Sequence, residues 1–481
     1  MIHLRSTLHL LSALLVFLGI SLIIPTLIAI HYQEEDVNAF LITIAIASVT
    51  GLIGFLISRH SGELHSKDGF VIVTIGWLLY ASIGALPFYL SGFIPSYTDA
   101  FFETMSGFTT TGASILTDIE ALPHGLLFWR SLTHWLGGMG IILLSLAILP
   151  FLGVGGMQLF KAEVPGPTRD KLTPRIKDTA KLLWTVYAII STLEVLALRL
   201  AGMNWFDSFC HTFGSMATGG FSTKNASIAY YQNSLIDFII TLFMMLAAMN
   251  FALHFRALKG KPLIYFRNPE TMFFMLIIFC ATVLVGFDVW RVTAKHFFQT
   301  IQYSLFQVVS ILTTTGYVTC DYEKWSHLSR IILFCLMFFG GCAGSTGGGI
   351  KIVRILILLK LGMNEIKRLI HPRAVFTVRV GDSVIPNDIV THISGFFFLY
   401  IVLTILGTLL MSMLGLDFES AFSSVAATIN NIGPGLGLIG PTDNYAHIPL
   451  AGKWVLSFLM LAGRLEIFTV LILFTISFWK K

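Results

Sequence analysis

One short phrase recurs four times in this chain and limits its fold more than any other feature. It reads Thr110-Thr111-Gly112, Thr218-Gly219-Gly220, Thr314-Thr315-Gly316 and Asn430-Asn431-Ile432-Gly433. Each copy follows a short amphipathic stretch and lies between two long apolar runs. Phe101, Phe209, Phe306 and Phe422 each stand ten or eleven residues before the glycine. Segment 97–114 is too short and too polar to cross a bilayer, yet both flanking spans must end on its side. A plain extracellular loop predicts unrelated compositions at the four places. Instead Asp99, Asp207 and Asp417 each open a stretch rich in Phe, Ser and Met, and the stretches close on small or hydroxyl residues and a glycine. The repetition predicts four re-entrant loops around one axis.

Non-helical backbone at membrane depth is tolerated only where it lines water or is buried in protein. Carbonyls that face an axis on successive residues need unusual dihedrals, which glycine adopts at little steric cost. The short helices before the loops aim their negative C-terminal ends at the same point. A ring of backbone carbonyls replaces the water shell of a potassium ion, so a dehydrated monovalent cation is the ligand that suits these loops.

The rest of the chain is consistent with a membrane setting. Of 481 residues, 55% are hydrophobic and 12% charged, half the charge of a usual soluble domain. Apolar runs near 8–30, 38–58, 70–92, 126–152, 181–202, 234–255, 272–290, 328–360, 392–415 and 452–479 predict about ten spans. The first is too long for a signal peptide and lacks a small-residue cleavage site, so it reads as a retained helix. The predicted fold is an all-α polytopic membrane protein with two leading helices (1–68) and four helix–pore loop–helix repeats in pseudo-fourfold arrangement: 69–160, 161–260, 261–375 and 376–481.

Basic residues gather in segments 161–181, 256–267 and 351–379 and at Lys480-Lys481, while Glu34, Glu35, Asp36, Asp118, Glu120, Asp321 and Glu323 mark the opposite side. The positive-inside rule then places both termini in the cytoplasm and all four loops outside. The net charge of +5 is what basic loops beside anionic lipid carry and calls for no nucleic acid. The five cysteines show neither metal-ligand spacing nor a disulfide framework.

The four phrases and the two leading helices resemble the Trk/Ktr/HKT superfamily of potassium transporters over essentially the whole chain, most of all its bacterial TrkH-type members. The resemblance implies one filter glycine per repeat: Gly112, Gly219, Gly316 and Gly433, with Gly220 an alternative register in the second. Neighbouring carbonyls would come from Thr110, Thr111, Ala113, Ala217, Thr218, Thr314, Thr315, Tyr317, Asn431, Ile432 and Pro434. Serine at the first filter position accompanies sodium preference in plant relatives; Gly112 here implies potassium. The longer potassium-channel phrase is absent, and Asn431-Ile432 and Pro434 break the symmetry, so weaker discrimination than in a tetrameric channel is expected. The resemblance also implies a bacterial inner membrane, a homodimer and a cytoplasmic nucleotide-binding regulatory subunit of the TrkA type. Potassium is then the substrate, and no cofactor is expected.

The run 328–361 is too long for one span, roughly 50 Å as a helix against a core of about 30 Å. Its middle holds Gly340, Gly341, Gly344, Ser345, Thr346, Gly347, Gly348 and Gly349. Each glycine costs a helix about 1 kcal/mol relative to alanine, which predicts a break inside the membrane. Arg464 falls near mid-bilayer in the last run and must face the interior, paired with Glu466 or another carboxylate, bonded to carbonyls of the Gly-rich loop, or set as a barrier to ions. In the resembling family the Gly-rich loop restricts the pore below the filter. With Lys351 just beyond it and Arg464, it is the expected gate.

Glu103, Arg130 and His134 read as braces of the first loop rather than as coupling groups, and Glu194 and Arg199 as helix partners of each other. A proton- or sodium-coupled symporter is the alternative, with Glu103 and Glu466 the groups it would need. A membrane-embedded enzyme finds no support: there is no His-Glu-x-x-His, no Gly-x-Ser-x-Gly, and His124, His134 and His211 are dispersed.

Overall fold

The computed structural model describes residues 3–58, 66–147, 176–293, 297–381 and 383–480. It is helical apart from one two-stranded hairpin. Helix α1 (Leu4–Ser21) runs into α2 (Ile23–Tyr32) with a break at Leu22. Pro25 has no N–H to offer the carbonyl four residues back, which loosens that turn. Helix α3 (Val37–Ile57) returns along α1. A methyl on Gly51 would lie 3.0 Å from the Ser12 carbonyl oxygen, so the two backbones meet through a residue with no side chain.

Four helix–loop–helix units follow. The first has α4 (Ser66–Gly84), the short α5 (Leu86–Leu90), α6 (Tyr97–Phe108) and α7 (His124–Ala147). The second has α8 (Ile176–Leu200), α9 (Trp205–Met216), α10 (Ser234–Ala247) and α11 (Phe251–Leu258). The third has α12 (Pro269–Thr293), α13 (Phe297–Leu312), α14 (His327–Leu336) and α15 (Ile352–Ile370). The hairpin β1 (Arg379–Val380) and β2 (Ser383–Val384) precedes the last unit. That unit has α16 (Asn387–Met413), α17 (Phe418–Ile429), α18 (Leu450–Arg464), α19 (Phe468–Leu471) and α20 (Ile476–Trp479). Among the described residues, six helical spans are long and apolar enough to cross a membrane, or up to eight with each bent pair counted as one, which is compatible with about ten.

The helices α6, α9 and α17 have 12 residues each, about 18 Å of rise, little more than half a bilayer core. Their starts are fixed by side-chain caps: Ser96, Asn204 and Asp417 accept the backbone N–H of Asp99, Asp207 and Ser420. Asp99 and Asp207 thus sit three residues inside their helices, and Asp417 is itself the cap. From Ala100 to Phe108 every side of α6 is buried, as suits a short helix surrounded by protein.

The expected break in the third unit is present: backbone between α14 and α15 is non-helical over 337–351. Two further bends run against the sequence reading of single spans at 234–255 and 452–479. Helices α10 and α11 meet at 104°, and α18 meets the 468–474 segment at 113°. At the first, Asn250 caps α11 through the Ala252 N–H, while Cys342 and Thr346 donate backbone N–H groups to the freed carbonyls of Ala248 and Ala247. At the second, Glu466 and Ile467 take φ values of 63° and 29°, which ends the helix. The end of the fourth apolar run, Lys161, Arg169, Lys171 and Arg175 lie outside the described residues.

Candidate ion filter and gate

Four backbones repeat one conformation. Two residues after each short helix ends, Thr110, Thr218, Thr314 and Asn431 have φ of 51°, 54°, 61° and 55°. Two residues later again, Gly112, Gly220, Gly316 and Gly433 have φ of 80°, 79°, 81° and 96°. The second loop's equivalent glycine is therefore Gly220. The expected Gly219 occupies the position of Thr111, Thr315 and Ile432, because α9 ends at Met216 just as α6 ends at Phe108. Phe209 precedes Gly220 by eleven residues, the spacing of Phe101 to Gly112 and Phe422 to Gly433, which is the clue the sequence held.

The loops abut in a closed cycle. A methyl built on Gly112 would strike the Gly219 carbonyl oxygen, one on Gly220 that of Thr315, and one on Gly316 that of Ile432. The cycle closes at Gly433, where the methyl would lie 2.7 Å from the Thr111 carbonyl oxygen. Each glycine thus leans on the residue before the next loop's glycine, and the four loops form one ring. Thr110, Thr111, Thr218, Thr314, Thr315, Asn431 and Ile432 are all fully buried. Among the described residues, no hydrogen-bond donor of the protein reaches the carbonyls of Thr111, Gly112, Gly219, Gly220, Thr315, Gly316 or Ile432. Gly112 and Gly220 are half-buried and the other five are buried, where carbonyls left this way are uncommon and costly.

Polar side chains brace the ring from behind. Arg130 Nε donates to Glu103 at 2.6 Å, its Nη1 donates to the Ser222 carbonyl at 2.9 Å, and its guanidinium lies 3.6 Å from the Phe221 ring centre. Glu103 also accepts the Ser114 hydroxyl and the Ile115 N–H, so one buried ion pair joins the first loop to the second. His134 stacks on Phe221 with ring centres 4.1 Å apart and walls Gly219. Tyr317 donates its hydroxyl to the carbonyls of His211 and Phe221, joining the third loop to the second. Lys453 reaches Asp99 at 2.6 Å, joining the fourth unit to the first. The expected Glu194–Arg199 pairing is not formed. Five residues turn a helix about 140°, and the two groups diverge: Glu194 accepts the Ser215 hydroxyl and Arg199 donates to the Met203 carbonyl.

The Gly-rich segment lies against this ring. The Gly348 N–H donates to Thr314 Oγ1 at 2.7 Å. Thr346 Oγ1 lies 3.0 Å from the carbonyl oxygens of Met216 and Ala247. A methyl on Gly348 would strike the Asn430 carbonyl oxygen, and one on Gly340 the carbonyl oxygen of Gly348. Arg464 is buried, donates from Nη1 to the Thr346 carbonyl at 2.7 Å, and sets Nη2 3.5 Å from the Gly137 carbonyl. Of the partners expected for it, the loop carbonyl is found; Glu466 instead pairs with Arg354. Lys351 Nζ bonds the Gly347 carbonyl, and Ser345 closes a turn on the Cys342 carbonyl. Sequence reasoning missed Glu270, which accepts the N–H groups of Ala343 and Val353 and so ties the segment to the start of α15. A carboxylate beside Pro269 at the head of an apolar run was the available signal.

A family model described as TrkH, cation transport protein, matches residues 35–480. The chain is similar to the Trk system potassium uptake protein TrkH of Escherichia coli K12, 43% identical over the whole of both chains. It is 37% identical to the Trk system potassium uptake protein TrkG of the same organism, over 100% of this chain and 99% of that one. The crystal structure of the potassium transporter TrkH from Vibrio parahaemolyticus superposes on it with a TM-score of 0.91 and 39% identity, covering 100% of both chains. A shared length, a shared fold and this level of identity agree: the chain belongs to the TrkH family of cation transport proteins.

Proposed function

We propose that this chain takes up potassium through a channel-like pore whose filter is the ring of four loops, and that segment 340–349 with Arg464 is its gate. The observation that carries the filter reading is the closed cycle of glycine against carbonyl, with carbonyls that no donor among the described residues reaches. Such oxygens are stabilised by a cation, and carbonyl rings suit potassium. The relatives named as potassium uptake proteins support the same ion. The guanidinium of Arg464 on Thr346, beside the ring, supports the gate: a buried positive charge opposes a passing cation and ties the segment shut.

The alternative of proton or sodium coupling is the weaker reading. Glu103 bonds Arg130 and Glu466 bonds Arg354, so both carboxylates already serve as braces. The five-part division at 68, 160, 260 and 375, cytoplasmic termini, a homodimer and a TrkA-type nucleotide-binding subunit complete the proposal. A protein called part of a Trk system implies further components.

The test is rubidium and sodium flux from purified protein in liposomes, with an imposed voltage and no other gradient, with and without the cytoplasmic partner. Voltage-driven rubidium flux, faster than sodium, is expected. Flux that starts only when a proton or sodium gradient is added would overturn the channel-like reading.

A further inference from the structure

One carbonyl of the ring is claimed by a side chain. Tyr445 Oη donates to the Gly433 carbonyl oxygen at 2.6 Å. The matching carbonyls of Gly112, Gly220 and Gly316 receive no such donor among the described residues. Gly433 also stands apart in backbone, with φ 96° against 79–81° for the other three. Tyr445 is held firmly: its ring packs on Phe102 with centres 5.5 Å apart, and its N–H donates to the Ser114 carbonyl at 2.8 Å. It belongs to the fourth unit, is anchored against the first, and turns its hydroxyl back to the glycine of its own loop.

A hydroxyl that donates to a carbonyl puts the positive end of its dipole beside that oxygen. The oxygen then offers less negative potential to a cation. Potassium selectivity depends on the number and field strength of the coordinating carbonyls. We infer that Tyr445 sets ion selectivity by withholding the Gly433 carbonyl, which leaves the fourth loop the weak ligand of the ring. The inference rests on the filter proposed above. Tyr445 is a positioning residue, since it acts through Gly433. Releasing the carbonyl completes the ring, and potassium, which takes more ligands than sodium, gains more from it.

The test is Tyr445→Phe in the full chain, reconstituted in liposomes, with rubidium and sodium flux read under voltage. The expected result is a severalfold rise in the rubidium-to-sodium flux ratio and a lower half-saturation concentration for rubidium. Tyr322→Phe is the matched control, because its hydroxyl donates to the Gly435 carbonyl at 3.0 Å, two residues beyond the ring; its flux ratio should equal that of the unaltered chain. An unchanged or lower ratio in Tyr445→Phe would overturn the inference. If that variant fails to fold, 3-fluorotyrosine at 445 decides, since its more acidic hydroxyl donates more strongly: a lower ratio supports withholding, and an equal or higher one refutes it. Absence of rubidium flux from the unaltered chain and from Tyr322→Phe alike would instead count against the filter itself.

Discussion

At the scale of single residues, the ring is built from conformations that side chains resist. Thr110, Thr218, Thr314 and Asn431 hold left-handed backbone, which costs on the order of 1–3 kcal/mol where it is not glycine. Gly220→Ala would add a side chain at positive φ and drive it into the Thr315 carbonyl, so rubidium flux should fall at least tenfold while the protein still reaches the membrane. Flux near that of the unaltered chain would deny Gly220 its place in the ring. Removing one partner of a buried pair costs about 3–5 kcal/mol, and Glu103→Ala should lower the Tm of the solubilised protein accordingly; an unchanged Tm would make the Arg130 pair incidental. Outside the spans, Asp36 is buried in the turn after α2, and burial, then the neighbouring Glu34 charge, raises its carboxyl from 3.8 to about 6. A raised carboxyl loses stability as pH climbs from its unfolded value through its folded one. Asp36→Asn should therefore raise Tm at pH 8 and leave it unmoved at pH 3, and a gain equal at both would contradict this. The glycines and threonines were legible in sequence as a motif. Their register was not fully so, because Gly219 and Gly220 are adjacent and only the φ values tell them apart.

At the scale of elements, the informative features are interrupted helices. The glycines of 340–349 announced their break, since each one weakens a helix by a known amount. The bends after α10 and α18 were silent, because hydropathy runs on across them and one or two residues do the work: Asn250 at one, Glu466 with Ile467 at the other. Both bends lie where the Gly-rich segment docks. The α10 carbonyls take its N–H groups, and Glu466 grips Arg354 on α15. Arg464→Ala should loosen this junction and raise resting potassium leak severalfold; unchanged flux in folded protein would remove Arg464 from the proposed gate. Glu270→Ala strips the Ala343 and Val353 N–H groups of their acceptor, at about 1–3 kcal/mol for each buried group left unpaired. It should also raise leak, and a tight, fully stable variant would show that Glu270 only decorates the segment.

At the scale of the whole molecule, four units of different sequence converge on one ring. Its fourfold plan could be read from the spacing of the phrases, and its membrane setting from composition. The ties between units could not, since Arg130 to Ser222, Tyr317 to His211, Lys453 to Asp99 and Tyr445 to Ser114 join residues far apart in the chain. Because each loop leans on the next, paired substitutions in neighbouring loops should be non-additive, with Gly112→Ala and Gly220→Ala together costing less than the sum of the two. Strict additivity in Tm would mean the loops are mechanically independent. A pore assembled from identical subunits receives every mutation in quadruplicate, so one altered codon remakes the whole conduit. Here the quadrants are written separately in one gene. A change in one loop can alter a single wall while three stay constant, and Asn431 and Gly433, the one ring glycine that a tyrosine binds among the described residues, already set the fourth loop apart.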